Sequence, residues 1–328
     1  STQIDNNKKV YEFLIREKIS QNYSNISVAC AGNVDSGKST LLGVLLTDKR
    51  DNGRGSVRLN VFNFPHEIKS GRTSSMAQHI LGFDSSGQVV NYKDTFGHKK
   101  SWPDIVKNSS KIITFFDLCG HEKYLKTTIM GLTSQSPDLA MILVGANMGI
   151  NNMTKEHMFL CLSLDIPFVI VISKIDICNE RDNVLKETIR QIKGILASKS
   201  IERKSIDVKS DDDVIMSAKN VANLSLVPIF YCSSVSGKGI DNLRNFLNLY
   251  NNYKPKQSMQ NGVEFHIDQT FTVAGVGLIL GGQLVSGKIK VGDKLLLGPN
   301  NKTYTTIHVK SLHCKRVNVE SVEAGCYV

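Results

Sequence analysis

The chain has 328 residues, of which 41% are hydrophobic and 21% are charged, and its net charge at pH 7 is +10. This balance is typical of a globular protein, and the length suffices for two or three domains. No apolar run approaches the roughly 18 residues that cross a bilayer, and residues 1–20 lack the apolar core of a secretory signal. The seven scattered cysteines, with no C-x-x-C pair, are typical of reduced thiols in the cytoplasm.

The first predicted element is a surface helix over residues 8–20, in which Val10, Leu14 and Ile19 recur at roughly helical spacing. A strand over 26–31 and a helix over 38–47 come next. Between them lies Gly32-Asn-Val-Asp-Ser-Gly37-Lys38-Ser39, which has the spacing G-x-x-x-x-G-K-S.

Strand, glycine loop and helix in this order predict a phosphate-binding loop. Backbone N–H groups and the helix N-terminus would cradle phosphates, Lys38 would reach the β- and γ-phosphates, and the Ser39 hydroxyl would bind Mg²⁺. A glycine-rich turn before a helix is the plainer alternative. The residues expected to bind nucleotide here are Asn33, Val34, Asp35, Ser36, Gly37, Lys38, Ser39 and Thr40.

Residues 48–110 lack clean periodicity and predict an extended segment that orders around nucleotide, then a hairpin near 79–93 with Ser85-Ser-Gly87 at its turn. The next strand, over 112–116, ends in Asp117-Leu-Cys-Gly120-His121-Glu122. A carboxylate at a strand end suits an Mg²⁺ contact through water, and the Gly120 N–H can meet a γ-phosphate. A lone D-x-x-G is also a common β-turn, but the buried strand before it favours the functional interpretation.

Further strands are predicted over 139–145, 167–173 and 227–232, and further helices over 122–132, 154–163, 181–197 and 240–250. This alternation predicts an α/β fold with a doubly wound, mainly parallel sheet. Ligands of such sheets bind at the carboxyl ends of the strands, which is where every motif above lies.

The strand over 167–173 ends in Ser173-Lys174-Ile175-Asp176. Asp176 can accept two hydrogen bonds from the guanine N1–H and amine, whereas adenine offers no such pair of donors. The stem of Lys174 would lie flat against the base. Lysine and aspartate after a strand are also ordinary surface residues, but their order after a phosphate-binding loop favours GTP.

A polar linker is predicted over 251–262, followed by short strands over 264–273, 277–284, 294–297 and 303–311 that indicate a small β-barrel. The barrel is not expected to close before Val328, so we expect the chain to be a fragment. The expected domains are an N-terminal helical extension (1–24), a P-loop GTPase domain (25–250), the linker (251–262) and an incomplete all-β barrel domain (263–328).

The stretches Asp117-Leu-Cys-Gly-His-Glu-Lys-Tyr124, Thr154-Lys-Glu-His157 and Ser173-Lys-Ile-Asp176 resemble the translational GTPases of the elongation factor Tu type. Asp51-Asn-Gly-Arg-Gly55 and Ser70-Gly-Arg-Thr73 most closely resemble the eukaryotic GTP-binding protein 1-like branch of that group. The resemblance runs from about Asn25 to the last residue.

The resemblance implies a role for each matching residue. Thr73 would close on Mg²⁺ and the γ-phosphate, and His121 would position the attacking water. The backbone of Ser233, Ser234 and Val235 would contact the guanine carbonyl, and Asp35 would help to hold a monovalent cation. The implied catalytic residues are Lys38, Thr73, Gly120 and His121, and the implied metal residues are Ser39, Thr73 and Asp117.

Three positions depart from the family pattern. Ser173 stands where most GTPases have asparagine, which would shorten one contact to the base or the phosphate-binding loop. Cys119 stands where elongation factors usually have proline, which would loosen the segment that follows. Val235 replaces the usual lysine or leucine beside the base.

The resemblance implies a cytoplasmic GTPase that binds GTP or GDP with Mg²⁺ and acts with tRNA and the ribosome, with no role at membranes or on DNA. The basic charge fits an RNA partner but also fits a merely solvated surface. A GTP-dependent adaptor in ribosome rescue or mRNA turnover is one alternative. A GTPase subunit of a small-molecule enzyme, as in sulfate activation, is another.

Overall fold

The computed structural model describes residues 2–328 except 6–7, 11–22, 63–64, 71–72, 74–75, 93–99, 181, 200, 252–261 and 301. The helices are α1 (Lys38–Thr47), α2 (Pro65–Ser70), α3 (Trp102–Asn108), α4 (Leu125–Gln135), α5 (Asn152–Ser163), α6 (Asp182–Leu196), α7 (Asp211–Asn220) and α8 (Ile240–Leu249). The strands of the first part of the chain are β1 (Thr2–Asp5), β2 (Lys8–Val10), β3 (Ser24–Gly32), β4 (Ala77–Phe83), β5 (Lys111–Asp117), β6 (Leu139–Gly145), β7 (Phe168–Ser173), β8 (Lys204–Asp207) and β9 (Leu226–Tyr231).

Strands β3 to β9 form one seven-stranded sheet in the order β4-β5-β3-β6-β7-β9-β8. All neighbours are parallel except β4, which runs antiparallel to β5 at the edge. This α/β domain confirms the predicted mainly parallel sheet. Because β3 lies between β5 and β6, the ends of these strands bring Gly32, Asp117 and Gly145 to the same edge of the sheet.

Helices cover both faces of the sheet, and each face has its own core. Every residue of β5, β6 and β7 is buried, which explains why β6 and most of β7 are continuous apolar runs that do not alternate. On one face Leu45 and Phe246 pack against the sheet. On the other face, α6 presents Thr188, Ile192 and Leu196 at four-residue spacing.

The second part of the chain is a β-strand domain. Its strands are β10 (Glu264–Val273), β11 (Gly277–Ser286), β12 (Lys288–Lys290), β13 (Lys294–Asn300), β14 (Thr303–His308), β15 (Leu312–Cys314), β16 (Val317–Val319) and β17 (Ser321–Glu323). They pair as β10-β11, β12-β17, β13-β14 and β15-β16, all antiparallel. The described strands do not form a closed barrel, and the domain has a small core around Leu284, Leu312 and Val322.

The structure differs from the sequence expectations in several places. Lys8–Val10, where a helix was expected to begin, is a strand paired with Thr2–Asp5, and residues 11–22 lie outside the described part. Most of the expected linker also lies outside it. The return strand of the hairpin after Phe83 is a single bridge at Val89. None of the described helices is long and apolar enough to cross a membrane.

Candidate functional site

The glycine loop joins the end of β3 to the start of α1, and two of its glycines have left-handed backbone. Gly32 has φ +140° and Gly37 has φ +85°. A Cβ atom at Gly32 would also collide with the backbone oxygen of Leu143 on the neighbouring strand. The loop conformation therefore requires glycine at Gly32 and favours it at Gly37.

Ser173 ties the glycine loop to the end of β7. Its Oγ donates a hydrogen bond of 2.6 Å to the backbone oxygen of Ser36, and Ser36 Oγ donates 2.8 Å to the backbone oxygen of Asn33. Serine at position 173 therefore reaches the glycine loop directly. The sequence analysis expected serine to shorten a contact either to the base or to the phosphate-binding loop. The structure has the contact to the loop.

Lys38 lies buried beneath the loop, where its Nζ donates to the backbone oxygens of Gly32 and Asn33 at 2.9 and 2.8 Å. Burial lowers the pKa of the ammonium group, and the nearby Asp117 carboxylate opposes that shift. A Cβ atom at Gly120 would lie 2.6 Å from the backbone oxygen of Gly32 and would also collide with Lys38 Nζ. Only glycine therefore permits the segment after Asp117 to approach the loop this closely.

Ser39, Thr73 and Asp117 meet beside Lys38. Ser39 Oγ donates 2.7 Å to Asp117 Oδ2, and the hydroxyl oxygens of Ser39 and Thr73 lie 3.1 Å apart. Asp117 Oδ1 is buried without a hydrogen-bond partner in the described structure, and burial raises the pKa of this carboxyl group. Two hydroxyls and a carboxylate with a spare oxygen are hard ligands that fit Mg²⁺.

His121 follows Gly120 but has a second role in the structure. Its ring is exposed, and Nδ1 accepts a 3.1 Å hydrogen bond from the Lys123 N–H at the start of a 3-10 turn. The ring also lies edge-on to Tyr124, with centroids 6.1 Å apart. His121 thus follows Gly120 in the chain while its ring caps a turn, and its catalytic role stays a prediction.

Asp176 and the loop after β9 lie at the ends of the neighbouring strands β7 and β9. Asp176 Oδ1 is buried and has no hydrogen-bond partner among the described atoms. This oxygen can therefore accept a hydrogen bond from a ligand. Lys174 has φ +59°, and its Cε lies near Gly37. Ser233 Oγ accepts the N–H groups of Val235 and Ser236 at 3.2 and 3.0 Å and so shapes the loop.

The remaining predicted residues are less constrained. Asp35 is exposed at the tip of the glycine loop with φ +60°, and no described group of three or more acidic, histidine or cysteine residues could hold a metal there. Cys119, expected to loosen its segment, is buried, and its backbone oxygen accepts 2.9 Å from Thr128 Oγ1.

The backbone N–H of Asp51 donates to the backbone oxygen of Ser234 in the loop after β9, a contact that sequence reasoning did not identify. The motif Asp51-Asn-Gly-Arg-Gly55 was the available signal, because two glycines flanking a charged residue favour a tight turn.

Comparison with known proteins places this geometry in context. Residues 23–255 match the family described as the elongation factor Tu GTP binding domain. The chain is 46% identical to GTP-binding protein 1 of Xenopus laevis and 44% identical to GTP-binding protein 2 of Homo sapiens, in each case over 97% of its length. It covers 48% and 53% of those proteins, so it spans about half the length of the relatives it matches.

Among solved structures, a bacterial selenocysteine-specific elongation factor matches 93% of this chain, which covers 41% of that factor. The TM-score is 0.62 and the sequence identity 23%. At this identity the match supports the fold alone.

Proposed function

Because the chain belongs to the elongation factor Tu GTP-binding-domain family of translational GTPases, we propose that it is a GTP-hydrolysing switch that works with tRNA and the ribosome. The observation that carries the proposal is the meeting of Lys38, Ser39, Thr73 and Asp117 at one edge of the sheet. The orphaned Asp176 oxygen at the other end of the site supplies the preference for guanine.

Each residue has a part in the proposed hydrolysis of GTP to GDP and phosphate. Lys38 moves from the loop carbonyls to the β- and γ-phosphates, and the Gly120 N–H donates to the γ-phosphate. Ser39 and Thr73 would offer hydroxyl ligands to Mg²⁺, and Asp117 would hold it through water. When bound, Mg²⁺ neutralises phosphate charge. Positioning and charge stabilisation supply most of the catalysis in such sites.

The water that attacks the γ-phosphate needs an orienting group, and we assign this to His121. In the structure its Nδ1 accepts from Lys123, so Nε2 is the ring atom left to face a water. We include the backbone of Ser233, Ser234 and Val235 as the contact to the guanine carbonyl, and Asp35 as the neighbour of a monovalent cation.

Three observations support action with RNA and the ribosome in the cytoplasm. The chain carries a net charge of +10, which favours a polyanion. The curated matches include selenocysteine-specific elongation factors and elongation factor 1-alpha. Reduced, scattered cysteines agree with action in the cytoplasm.

The test is GTP turnover by the full-length protein with and without ribosomes. We expect slow turnover alone and a large stimulation by ribosomes. Binding of charged tRNA to the GTP and GDP forms is measured alongside. Preference for the GTP form supports tRNA delivery, whereas stimulation without any tRNA preference points to an adaptor in ribosome rescue or mRNA turnover. Absence of ribosome stimulation contradicts the proposal.

A further inference from the structure

The segment Asp51-Asn-Gly-Arg-Gly55 has no part in the site described above, yet it lies against it. It connects the end of α1 to a 3-10 turn over Ser56–Asn60, and it packs beside the loop that follows β9. The backbone N–H of Asp51 donates a 2.9 Å hydrogen bond to the backbone oxygen of Ser234.

The Asp51 side chain fixes the conformation of the turn, and with it the direction in which the Asp51 N–H points toward Ser234. It is only 7% exposed, and its carboxylate accepts the N–H groups of Gly55 and Val57 at 2.9 and 3.1 Å. Ser56 Oγ lies 3.4 Å away as a third donor. A carboxylate that accepts several N–H bonds is a strong organiser of a turn. These bonds fold residues 55–57 back over residue 51.

The turn is itself fastened to the rest of the α/β domain at both ends. Asp48, just before it, accepts a 2.8 Å hydrogen bond from Arg244 of α8. Val57, just after it, packs on Gly43 of α1, where a Cβ atom would approach Val57 Cγ1 to 2.7 Å. Contacts to α8 and α1 therefore hold the turn that contains Asp51 in place, and α1 is the helix that begins at the glycine loop.

On the other side of the contact, both peptide groups that flank Ser234 are fixed. The backbone oxygen of Ser233 accepts 3.0 Å from the Gly237 N–H, and that of Ser234 accepts from Asp51. The N–H groups of Val235 and Ser236 are taken by Ser233 Oγ. Among the described hydrogen bonds of this loop, the Ser234 N–H has no protein acceptor, so it is the amide available to a ligand.

We propose that Asp51 is a positioning residue for base recognition, which fixes the direction in which the Ser234 N–H meets the 6-carbonyl of a guanine base. This rests on the proposed binding of guanine nucleotide but on no step of hydrolysis or ribosome action. The proposal gives the Asp51–Gly55 motif a function, because this motif would hold in place the loop after β9 that contacts the base.

The test compares two nucleotides on the full-length protein. GDP has the 6-carbonyl, whereas the diphosphate of 2-aminopurine riboside lacks it, together with the N1–H, and keeps the 2-amine. Asp51→Ala should weaken GDP binding at least 10-fold and change binding of the 2-aminopurine nucleotide less than 2-fold. Asp51→Asn keeps one acceptor oxygen and loses the other, so it should also weaken GDP binding selectively, but less than Asp51→Ala does. Asn52→Ala removes a neighbouring 2.9 Å bond to the Arg54 N–H without touching Ser234, and it should change neither affinity.

The outcomes separate the proposal from its alternatives. Equal weakening of both nucleotides by Asp51→Ala would show a general loss of loop structure and overturn the positioning role. Unchanged GDP affinity would overturn it as well. If Asp51→Ala does not fold, Asp51→Asn decides, because a selective loss of GDP affinity supports the proposal and a non-selective one contradicts it. Failure of ribosome stimulation would leave these ratios intact, whereas a wild-type protein that binds no guanine nucleotide would refute both proposals.

Discussion

The α/β domain and the β-strand domain stabilise themselves in different ways. In the first, β5, β6 and β7 are buried along their whole length between two layers of helices. In the second, nine of the ten positions of β10 are exposed, and the core is confined to a few side chains such as Leu284. Parallel strands need cover on both faces, while antiparallel pairs tolerate solvent on one.

The difference shows which interactions stabilise each domain. The α/β domain depends on apolar burial, and the polar residues of the candidate site lie at the carboxyl edge of its sheet. The β-strand domain uses polar contacts to the α/β domain, such as the 2.8 Å bond from Gln135 of α4 to Asp268. The turn of the β15-β16 hairpin inserts Lys315, whose Nζ donates to Asn25 Oδ1 at 2.5 Å and to Thr114 Oγ1 at 3.2 Å.

The largest expected effect tests this contrast directly. Ile142→Ala removes a fully buried side chain of β6 and should lower the free energy of unfolding by about 2–5 kcal/mol. Leu296→Ala, at a position that is 69% exposed, should change it by less than about 0.5 kcal/mol. Urea unfolding of both variants measures the difference. Similar losses would contradict the contrast, because an exposed side chain of β13 would then stabilise the protein as much as a buried one of β6.

The second prediction concerns the edge of the sheet. Asp176→Asn exchanges an acceptor for a donor and should weaken GTP binding by about 2–4 kcal/mol, because a paired, charged contact to the base is lost. Xanthosine triphosphate, which has a carbonyl in place of the amine, should bind the variant better than the wild type. Titration with both nucleotides checks this, and an unchanged GTP affinity would rule out Asp176 as the base reader.

The third prediction follows from a polar group inside the apolar layer. His157 of α5 is fully buried, and neither ring nitrogen has a hydrogen-bond partner in the described residues. Burial lowers its pKa to about 4, with Lys38 adding to the shift. In the unfolded chain this histidine has an ordinary pKa near 6.5, so the unfolded state binds more protons between about pH 4 and 6.5. The contribution of His157 to stability is therefore complete at neutral pH and declines as the pH falls from about 6.5 to 4.

The total loss attributable to His157 is about 3 kcal/mol. Urea unfolding at several pH values should show a steeper decline for the wild type than for His157→Gln, whose amide does not titrate in this range. Parallel pH profiles of the two proteins would mean that His157 does not titrate differently on folding.

The fourth prediction separates the two roles of His121. His121→Ala should lower ribosome-stimulated turnover by at least about 100-fold, some 2.7 kcal/mol, with GTP and GDP affinity nearly intact. His121→Asn is the matched control, because asparagine preserves the cap of the 3-10 turn. Equal loss of turnover in both variants supports catalysis. Restored turnover in His121→Asn, or loss of nucleotide binding in His121→Ala, indicates a structural role.

The smallest expected effect concerns the contact between the domains. Arg316 lies over the ring of Trp102, 4.5 Å from its centroid, and Trp102 is the single tryptophan of the chain. Lys315→Met removes the bonds to Asn25 and Thr114 and should weaken docking of the hairpin by about 1 kcal/mol. Quenching of Trp102 fluorescence by acrylamide should therefore increase.

Lys310→Met, at an exposed position of the same domain, is the control and should leave quenching unchanged. Equal quenching in wild type and Lys315→Met would show that the hairpin does not depend on Lys315 for its place.

Much of the α/β domain could be predicted because its signals are local. The helix over 38–47 and the strand over 139–145 match α1 and β6 to the residue, since a glycine loop and a fully apolar run mark their ends. Strand β8 and helix α7 were not predicted. The four residues of β8 are only partly buried or exposed and have no apolar run, and α7 begins with three aspartates that read as a polar loop until Ser210 and Asp213 are seen to cap it.

The sequence alone determined the chemistry: the order of the glycine loop, Asp117 and Asp176 predicted a guanine nucleotide site because residue types and their positions after strands decide which ligand groups can be met. Only the tertiary structure decided which residues hold that chemistry in place. The contacts of Ser173 to Ser36, Asp51 to Ser234 and Lys315 to Asn25 join positions 137, 183 and 290 residues apart. Hydrogen bonds over such separations follow from strand order and helix packing, so they cannot be predicted from the local sequence.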